Sequence, residues 1–200
     1  MDLSRPIEAV IPGVRGRLLG ALICSGRELS TADAARLSDV SAPQASRVLA
    51  QLVELGVVER RDVPPAVIYR PVPGNAVIAM LRELCVLRNR VIEFAKQSAS
   101  QIAPVPVRLS AFGSVARGTS DAESDIDIVA VRPSGADEDD SWVESLGRWS
   151  AGLEAFSGSR LKVLEIGNDE WRALDPSERS LWREIDRDEV VLLAGAELAA

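Results

Sequence analysis

Residues 105–132, VPVRLSAFGSVARGTSDAESDIDIVAVR, constrain the fold of this 200-residue chain more than any other segment. The apolar run over 105–112 predicts a strand, Gly113 predicts a tight turn, and the next few residues predict a short helix. A second strand is predicted over 124–131, where polar and apolar residues alternate. Two strands joined in this way, with a helix between them, indicate an α/β (α+β) domain.

Two aspartates share one face of the second predicted strand. Asp125 and Asp127 are two residues apart, so their side chains project together, whereas Ile126 and Ile128 take the other face. The two negative charges repel each other and favour a divalent cation between them. An Asp-x-Asp pair is also found at solvated strand edges, so it indicates a metal site only together with other features.

The glycine turn supplies such a feature. Gly113 lets the backbone approach a phosphate closely, Ser114 adds a hydroxyl, and the start of a helix offers N–H donors. The chain contains no histidine, which excludes Ser-His-Asp catalysis, Cys-His catalysis and His-ligated metals. A metal must then be held by carboxylates, so Mg²⁺ or Mn²⁺ is expected. The pattern predicts metal-assisted phosphoryl or nucleotidyl transfer.

The string FGSVARG followed by SDIDI resembles the signature of minimal nucleotidyltransferases in the DNA polymerase β superfamily. The resemblance implies a fold with a small mixed sheet flanked by helices. The resemblance implies that Asp125 and Asp127 bind two Mg²⁺ ions and that the substrate is a nucleoside triphosphate, with ATP expected. It implies four nucleotide-binding residues: Gly113, Ser114, Arg117 and Ser124. Arg117 would neutralise phosphate charge or form a salt bridge that holds the loop. Ser124 would order the loop before Asp125.

Members of this superfamily normally carry a third carboxylate on a later strand. The strand expected over 160–167, RLKVLEIG, makes Glu165 the candidate catalytic and metal-binding residue. Asp169 and Glu170 are weaker candidates because they fall at the start of the following helix.

The rest of this part of the chain is interpreted as supporting structure. A helix over 141–156 carries an apolar stripe at helical spacing, formed by Trp142, Leu146, Trp149 and Leu153. Trp171 and Trp182 are expected in the core rather than as platforms for a nucleobase. A further helix is predicted over 176–184.

The N-terminal part of the chain is interpreted as three helices followed by a β-hairpin. Helices are predicted over 14–24, 31–37 and 42–55, and strands over 57–61 and 66–70. Ser30 and Ser41 stand where N-caps of the second and third helices are expected. This order of elements resembles winged helix-turn-helix regulators of the MarR and ArsR type.

The resemblance implies that the third helix enters the major groove of DNA while the wing contacts phosphates or the minor groove. Six DNA-binding residues are implied: Gln44, Ser46 and Arg47 on the helix, and Arg60, Arg61 and Arg70 on the wing. The alternative is a winged helix that serves only as a protein-interaction module, because residues 1–75 carry a net charge of only +1.

These observations predict a winged helix-turn-helix domain over 1–74, a connecting helix over 75–102 and a nucleotidyltransferase domain over 103–200. The broad apolar face of the connecting helix would pack on the second domain or on its own copy in a homodimer. Cys24 and Cys85 are expected as free, buried thiols of a cytoplasmic protein, and the alternative is a disulfide or redox pair. No apolar run approaches the roughly 20 residues of a membrane span, so no membrane association is expected.

The combined interpretation is a DNA-binding nucleotidyltransferase that transfers NMP from NTP to a hydroxyl of a protein or an RNA. Members of the family include antitoxins that modify a helical HEPN-type toxin, and others that modify tRNA or small molecules. Because the chain lacks a large acceptor-binding domain, a macromolecular acceptor is favoured, and the winged helix would allow autoregulation. The alternative is a transcriptional regulator whose nucleotidyltransferase fold binds nucleotide as an effector without catalysis.

Overall fold

The computed structural model describes residues 1–136, 140–173, 182, 185 and 187–195, and it divides into two compact units. The first unit ends at Leu87 and the second begins at Arg88, with Met1 and Leu3 grouped with the second. This division differs from the predicted domain limits at 74 and 102.

The predicted single connecting helix is two helices, Ala76–Cys85 and Leu87–Ala99. The backbone leaves helical geometry at Val86 (φ −106°, ψ 8°), which ends the first of them. Apolar periodicity continues across this break, and for that reason the sequence pattern alone predicted one helix.

The first unit is a winged helix-turn-helix. Its helices are α1 (Pro6–Val10), α2 (Val14–Cys24), α3 (Thr31–Leu37), α4 (Ala42–Glu54) and α5 (Ala76–Cys85). Its strands β1 (Leu29–Ser30), β2 (Val58–Val63) and β3 (Ala66–Pro71) form an antiparallel sheet in the order β1-β3-β2. The predicted helices and hairpin are confirmed, whereas α1 and β1 are too short for a periodic pattern to predict.

Side-chain caps set the starts of α3 and α4. The Oγ atom of Ser30 accepts the backbone N–H of Asp33 at 3.1 Å. Ser41 and Gln44 form a reciprocal capping box, in which each side chain accepts the backbone N–H of the other residue. Because these bonds join residues only three apart, the sequence predicted both helix starts.

Cys24 and Cys85 form a disulfide, so the prediction of two free, buried thiols is wrong. Cys24 is exposed and Cys85 is half-buried. Each cysteine is the last residue of its helix, and packing of α5 on α2 brings their Cα atoms to 5.5 Å. They lie 61 residues apart in the sequence, so no local pattern reveals the pairing.

The second unit contains a mixed four-stranded sheet. Its helices are α6 (Leu87–Ala99), α7 (Gly113–Arg117), α8 (Asp140–Ser157) and α9 (Asn168–Ala173). Its strands are β4 (Arg108–Phe112), β5 (Ile126–Arg132), β6 (Leu161–Gly167) and β7 (Val190–Ala194). The strand order is β6-β5-β4-β7, with β5 and β6 parallel and the other pairs antiparallel. The small mixed sheet that we predicted is therefore present.

The four tryptophans of this unit pack in or against its core. All four side chains of the predicted α8 stripe are buried: Trp142, Leu146, Trp149 and Leu153. Trp171 and Trp182 meet edge to face, with ring centroids 4.8 Å apart, and they pack against the buried cluster of the sheet. The predicted helix over 176–184 falls outside the described residues except for Trp182.

Among the residues that the structure describes, no helix has the length and apolarity that crossing a bilayer requires.

Candidate active site

The glycine turn and the second aspartate are in direct contact. Phe112, the last residue of β4, pairs with Asp127 in β5. Gly113 follows with a φ of +74°, a backbone conformation that residues with a side chain rarely adopt. A Cβ atom at Gly113 would lie 2.5 Å from Oδ2 of Asp127. Both the backbone angle and the space therefore require glycine at this position.

The two aspartates experience opposite environments. Burial raises the pKa of Asp127, and the nearby negative charge of Asp125 adds to that effect. The pKa of Asp125 is lowered, chiefly because its carboxylate accepts a hydrogen bond from the Lys162 ammonium. The side chain of Asp125 is only 11% exposed, so this cation neutralises a mostly buried charge.

Lys162 and Arg160 occupy the site and were not predicted. In the parallel β5–β6 pair Lys162 lies opposite Asp127, which puts both side chains on the same face of the sheet. Its Nζ atom lies 2.8 Å from Oδ2 of Asp125, and Nε of Arg160 lies 3.1 Å from Oδ1 of Asp125. A lysine and an arginine near an edge strand give no sequence signal, because most such residues are simply solvated.

The structure does not place Glu165 with the two aspartates. Glu165 lies opposite Ala130, three positions along β5 from Asp127, so its side chain is on the other face of the sheet. There it forms an ion pair with Arg132. Glu165 is thus not placed to act as the expected catalytic and metal-binding residue, because the register between β5 and β6 puts it on the other face. Local spacing does not determine that register.

The weaker candidates for a third carboxylate do not complete the set either. Asp169 accepts a hydrogen bond from Ser134 at 3.1 Å. In the described part of the chain, no three carboxylate, thiol or imidazole side chains cluster in a way that could hold a metal ion. Asp125 and Asp127 supply hard oxygen donors that suit one Mg²⁺ or Mn²⁺ ion. A pair of cations held by three carboxylates does not fit, because the residue facing the aspartates is Lys162.

The start of α7, directly after the Gly113 turn, is arranged to bind an anion. No side chain of the described residues caps the start of α7, so its first N–H groups can be offered to a phosphate next to Ser114. Arg88 holds the far end of this short helix: its guanidinium donates to the carbonyl oxygen of Val115 at 2.6 Å and also to that of Ala116. Arg88 lies outside the motif, and the sequence did not mark it.

Arg117 and Ser124 make contacts that order the loop. Arg117 forms a salt bridge with Asp188 at 3.2 Å, and its positive charge still acts to lower the pKa of Asp127. The Ser124 hydroxyl donates to Oδ1 of Asp121 at 2.8 Å and accepts the Asp121 N–H at 2.9 Å. Both residues thus make contacts within the unit, and their expected part in nucleotide binding stays a prediction.

The residues expected to read DNA lie on the exposed face of α4. Gln44, Ser46 and Arg47 are all exposed. The Oε1 atom of Gln44 is used by the helix cap, which leaves its amide N–H₂ group for another partner. Arg47 forms no ion pair within the described residues. It is therefore the residue of the three best able to approach a phosphate or a base.

The wing arginines are less available than the sequence indicated. Each forms an ion pair within the unit: Arg60 with Asp62 at 2.8 Å, Arg61 with Glu28 at 3.0 Å, and Arg70 with Glu59 and with Glu28 at 3.3 Å. These acidic partners offset the positive charge that a wing would offer to phosphates, although exposed pairs of this kind are weak and exchange readily.

Solved structures resemble parts of this chain only distantly. A toxin-antitoxin complex with AMP-PNP matches at 17% identity and a TM-score of 0.34, over 55% of this chain and 75% of that one. TrmBL2, an archaeal chromatin protein, matches at 16% identity and a TM-score of 0.31, over 92% of this chain and 78% of that one. No curated protein matches this sequence.

Two protein-family models match separate parts of the chain, and they agree with the two units. The MarR family model matches residues 11–66, which contain the helix-turn-helix and most of its wing. The nucleotidyltransferase domain model matches residues 90–191, which contain the mixed sheet, the glycine turn and both aspartates. Since the second model covers just over half of the chain, this protein belongs to the nucleotidyltransferase domain family, with a MarR-like winged helix before that domain.

Proposed function

We propose that this protein is a DNA-binding nucleotidyltransferase that transfers NMP from NTP to a hydroxyl group of a protein or an RNA. The observation that carries the proposal is the contact between the Gly113 turn and Asp127, because a Cβ at Gly113 would lie 2.5 Å from the carboxylate. A phosphate lying on that turn is held directly beside a half-buried acidic group. Nucleotidyl transfer needs this juxtaposition of a phosphate site and carboxylates.

Different residues of the site bind phosphate, hold the metal ion and accept the proton. The first N–H groups of α7 and the Ser114 hydroxyl bind phosphate oxygens of the triphosphate. A divalent cation, Mg²⁺ or Mn²⁺, held by Asp125 and Asp127 would supply positive charge to the same phosphates. The acceptor hydroxyl attacks the α-phosphorus, the bond from that phosphorus to the bridging oxygen breaks, and pyrophosphate leaves. The hydroxyl proton passes to the Asp127 carboxylate, which lies beside the phosphate site at the Gly113 turn.

The openness of the site supports a large acceptor. The side chains of Lys162 and Arg160 at its rim are 71% and 81% exposed, so a macromolecular hydroxyl can reach the aspartates. We propose as acceptor a helical HEPN-type toxin or an RNA, and ATP as the donor nucleotide. The protein would then work in the cytoplasm, where nucleoside triphosphates and DNA are both present.

The MarR-like unit supports the DNA-binding part of the proposal. The third helix of such a unit docks in the major groove, and the exposed residues of α4 (Gln44, Ser46 and Arg47) lie on the side that would face the bases. The wing arginines would contact phosphates after exchanging their acidic partners for the DNA. Binding to the DNA upstream of its own gene would make the protein autoregulating.

A homodimer is also part of the proposal. The helix α5 exposes Val77 and Met80, which are three residues apart on one face, and they are 53% and 74% exposed. A second copy of the chain would bury this apolar face. We expect light scattering after gel filtration to show a dimer that Met80→Glu converts to a monomer.

The proposal is tested by following the label from each of four α-labelled NTPs into the protein and RNA of a native lysate, with Mg²⁺ or Mn²⁺. We expect one labelled band that disappears with Asp127→Asn. The matched control is Glu165→Gln, which removes a carboxylate from the opposite face of the sheet and should leave the labelling intact. Loss of label with the control as well as with Asp127→Asn would contradict the assignment of the site.

The ion pair between Lys162 and Asp125 also favours a second function. A lysine in this position offsets the negative charge that a divalent cation requires, so the domain could bind nucleotide as an effector without transferring it. Such a regulator would show no label with any NTP or metal, and its DNA binding would change when NTP is added. The labelling assay and a DNA-binding assay with and without NTP separate the two functions.

A further inference from the structure

Two positively charged side chains, Lys162 and Arg160, lie beside the aspartates, where a third carboxylate would be needed to hold two metal ions. Lys162 is opposite Asp127 on the same face of the sheet, and its ammonium lies 2.8 Å from Oδ2 of Asp125. The Arg160 guanidinium lies 3.1 Å from the other oxygen of that carboxylate. Both oxygens of Asp125 are therefore occupied by positively charged groups.

The charges of this site nearly cancel. Asp125 and Asp127 contribute two negative charges, and Lys162 and Arg160 contribute two positive charges. A free divalent cation gains little from a neutral site and must displace an ammonium group from Asp125. A nucleoside triphosphate, which carries several negative charges, is attracted to the same two cations. The site is thus better suited to bind the nucleotide before the metal ion.

The side chains of Lys162 and Arg160 can also exchange Asp125 for another partner. Their side chains are 71% and 81% exposed, whereas that of Asp125 is 11% exposed. A lysine ammonium on a flexible stem binds phosphate as a point charge. Lys162 can therefore swing from Asp125 to a phosphate oxygen, and in doing so it uncovers a carboxylate oxygen for a cation. Movement of this one side chain would couple the binding of nucleotide to the exposure of an Asp125 oxygen.

We propose that Lys162 is a nucleotide-binding residue that replaces the charge of one metal ion, so that the triphosphate binds before any divalent cation and uncovers Asp125 for it. This inference rests on the proposed function, because it assumes that the Gly113 turn holds a triphosphate. It goes further by naming the residue that binds the nucleotide and the order in which nucleotide and metal enter.

The first test measures binding of a fluorescent, non-hydrolysable ATP analogue in EDTA by fluorescence anisotropy. We expect the wild-type protein to bind the analogue without metal, and Lys162→Ala to weaken this binding by roughly tenfold or more. The matched control is Lys96→Ala, which removes the other lysine of the chain. Lys96 lies on α6, where it pairs with Glu93, and its loss should leave the affinity unchanged.

The second test measures binding of Mn²⁺ alone by electron paramagnetic resonance, so that no activity is needed. We expect weak binding to the wild-type protein and binding at least roughly tenfold tighter to Lys162→Asp, which places a third carboxylate beside Asp127. Lys96→Asp makes the same change of charge on α6 and should not bind Mn²⁺ more tightly. Thermal melts of all four variants check that each is folded.

The possible failures can be told apart. Tight binding of two Mn²⁺ ions to the wild-type protein without nucleotide would overturn the proposed order of binding. Equal affinity of wild-type and Lys162→Ala for the analogue in EDTA would overturn the role of Lys162 and leave the proposed function intact. If the wild-type protein binds no nucleotide, with or without Mn²⁺, then both this inference and the proposed function are overturned.

Discussion

The Oδ2 atom of Asp127 lies 2.5 Å from the position that a Cβ atom on Gly113 would take. The two residues are 14 positions apart in the sequence, and the antiparallel pairing of β4 with β5 brings them together. The contact means that the turn and the carboxylate cannot be altered independently, since any side chain at 113 displaces the acidic group.

We therefore expect Gly113→Ala to abolish nucleotide binding. Alanine would collide with the Asp127 carboxylate and would also adopt an unfavourable positive φ, which costs about 1–2 kcal/mol of stability. The control is Gly135→Ala. Gly135 has a φ of +82°, and no atom of the described residues lies within 4 Å of its Cβ position, so this variant carries the same backbone strain without the collision.

Gly135→Ala should lose about 1–2 kcal/mol of stability in urea unfolding and Gly113→Ala at least as much, whereas only Gly113→Ala should lose binding of the ATP analogue. If Gly135→Ala loses binding to the same extent, backbone strain rather than contact with Asp127 is responsible for the loss.

Reduction of the Cys24–Cys85 disulfide should destabilise the winged-helix unit. Closing a loop of 61 residues constrains the unfolded chain by about 4 kcal/mol in the loop-entropy model. We expect the urea midpoint of that unit to fall on addition of a reductant. A Cys24→Ser/Cys85→Ser protein should already show the lower midpoint and should not respond to the reductant. A wild-type midpoint that is insensitive to reduction would contradict the pairing.

The stability of the second unit should fall in acid through Asp188. The guanidinium of Arg187, followed by that of Arg117, lowers the pKa of Asp188 from 3.8 to about 2. A lowered pKa in the folded state contributes stability above the unfolded pKa, and that stability is lost as pH falls from about 4 to about 2. Thermal midpoints measured across this range should therefore depend less on pH in Asp188→Asn than in the wild-type protein.

A second variant tests the cause of that shift. Arg187→Ala removes the principal partner of Asp188, so the loss of stability as pH falls from about 4 to about 2 should be smaller than in the wild-type protein and should end at a higher pH. Identical pH profiles for the wild-type protein and both variants would show that these ion pairs do not act on the folded state.

Arg47→Ala should weaken DNA binding and lower its salt dependence. An exposed arginine that contacts one phosphate releases about one counterion, so the slope of log K against log salt should decrease by about 1. The measurement is anisotropy of a labelled duplex from upstream of the gene, and of a random-sequence duplex, at several salt concentrations. Arg148→Ala removes an equally charged side chain from α8, where Arg148 is 71% exposed, and it should change neither the affinity nor the slope.

If Arg47→Ala binds both duplexes as the wild-type protein does, then the exposed face of α4 is not the DNA-binding surface. The winged helix would in that case serve as a protein-interaction module.

The helix starts, the strand faces and the glycine turn depend on contacts between residues that are close in the sequence. Ser30 and Ser41 begin their helices through bonds to residues three positions away, and residues within that reach can be identified directly from the sequence. The alternation of polar and apolar residues at the start of β5 likewise placed Asp125 and Asp127 on the face opposite its apolar side chains. The Gly113 turn was predicted on the same local ground.

Only the tertiary structure decided what faces the two aspartates. Lys162 lies opposite Asp127, and Glu165 lies opposite Ala130, because of the register between β5 and β6. The helix α8 lies between these strands in the sequence, so no local spacing sets that register. The pairing of Cys24 with Cys85 depends in the same way on the packing of α5 against α2. The sequence by itself determined where the carboxylates and the glycine turn are, and long-range packing determined that lysine, rather than a third carboxylate, completes the site.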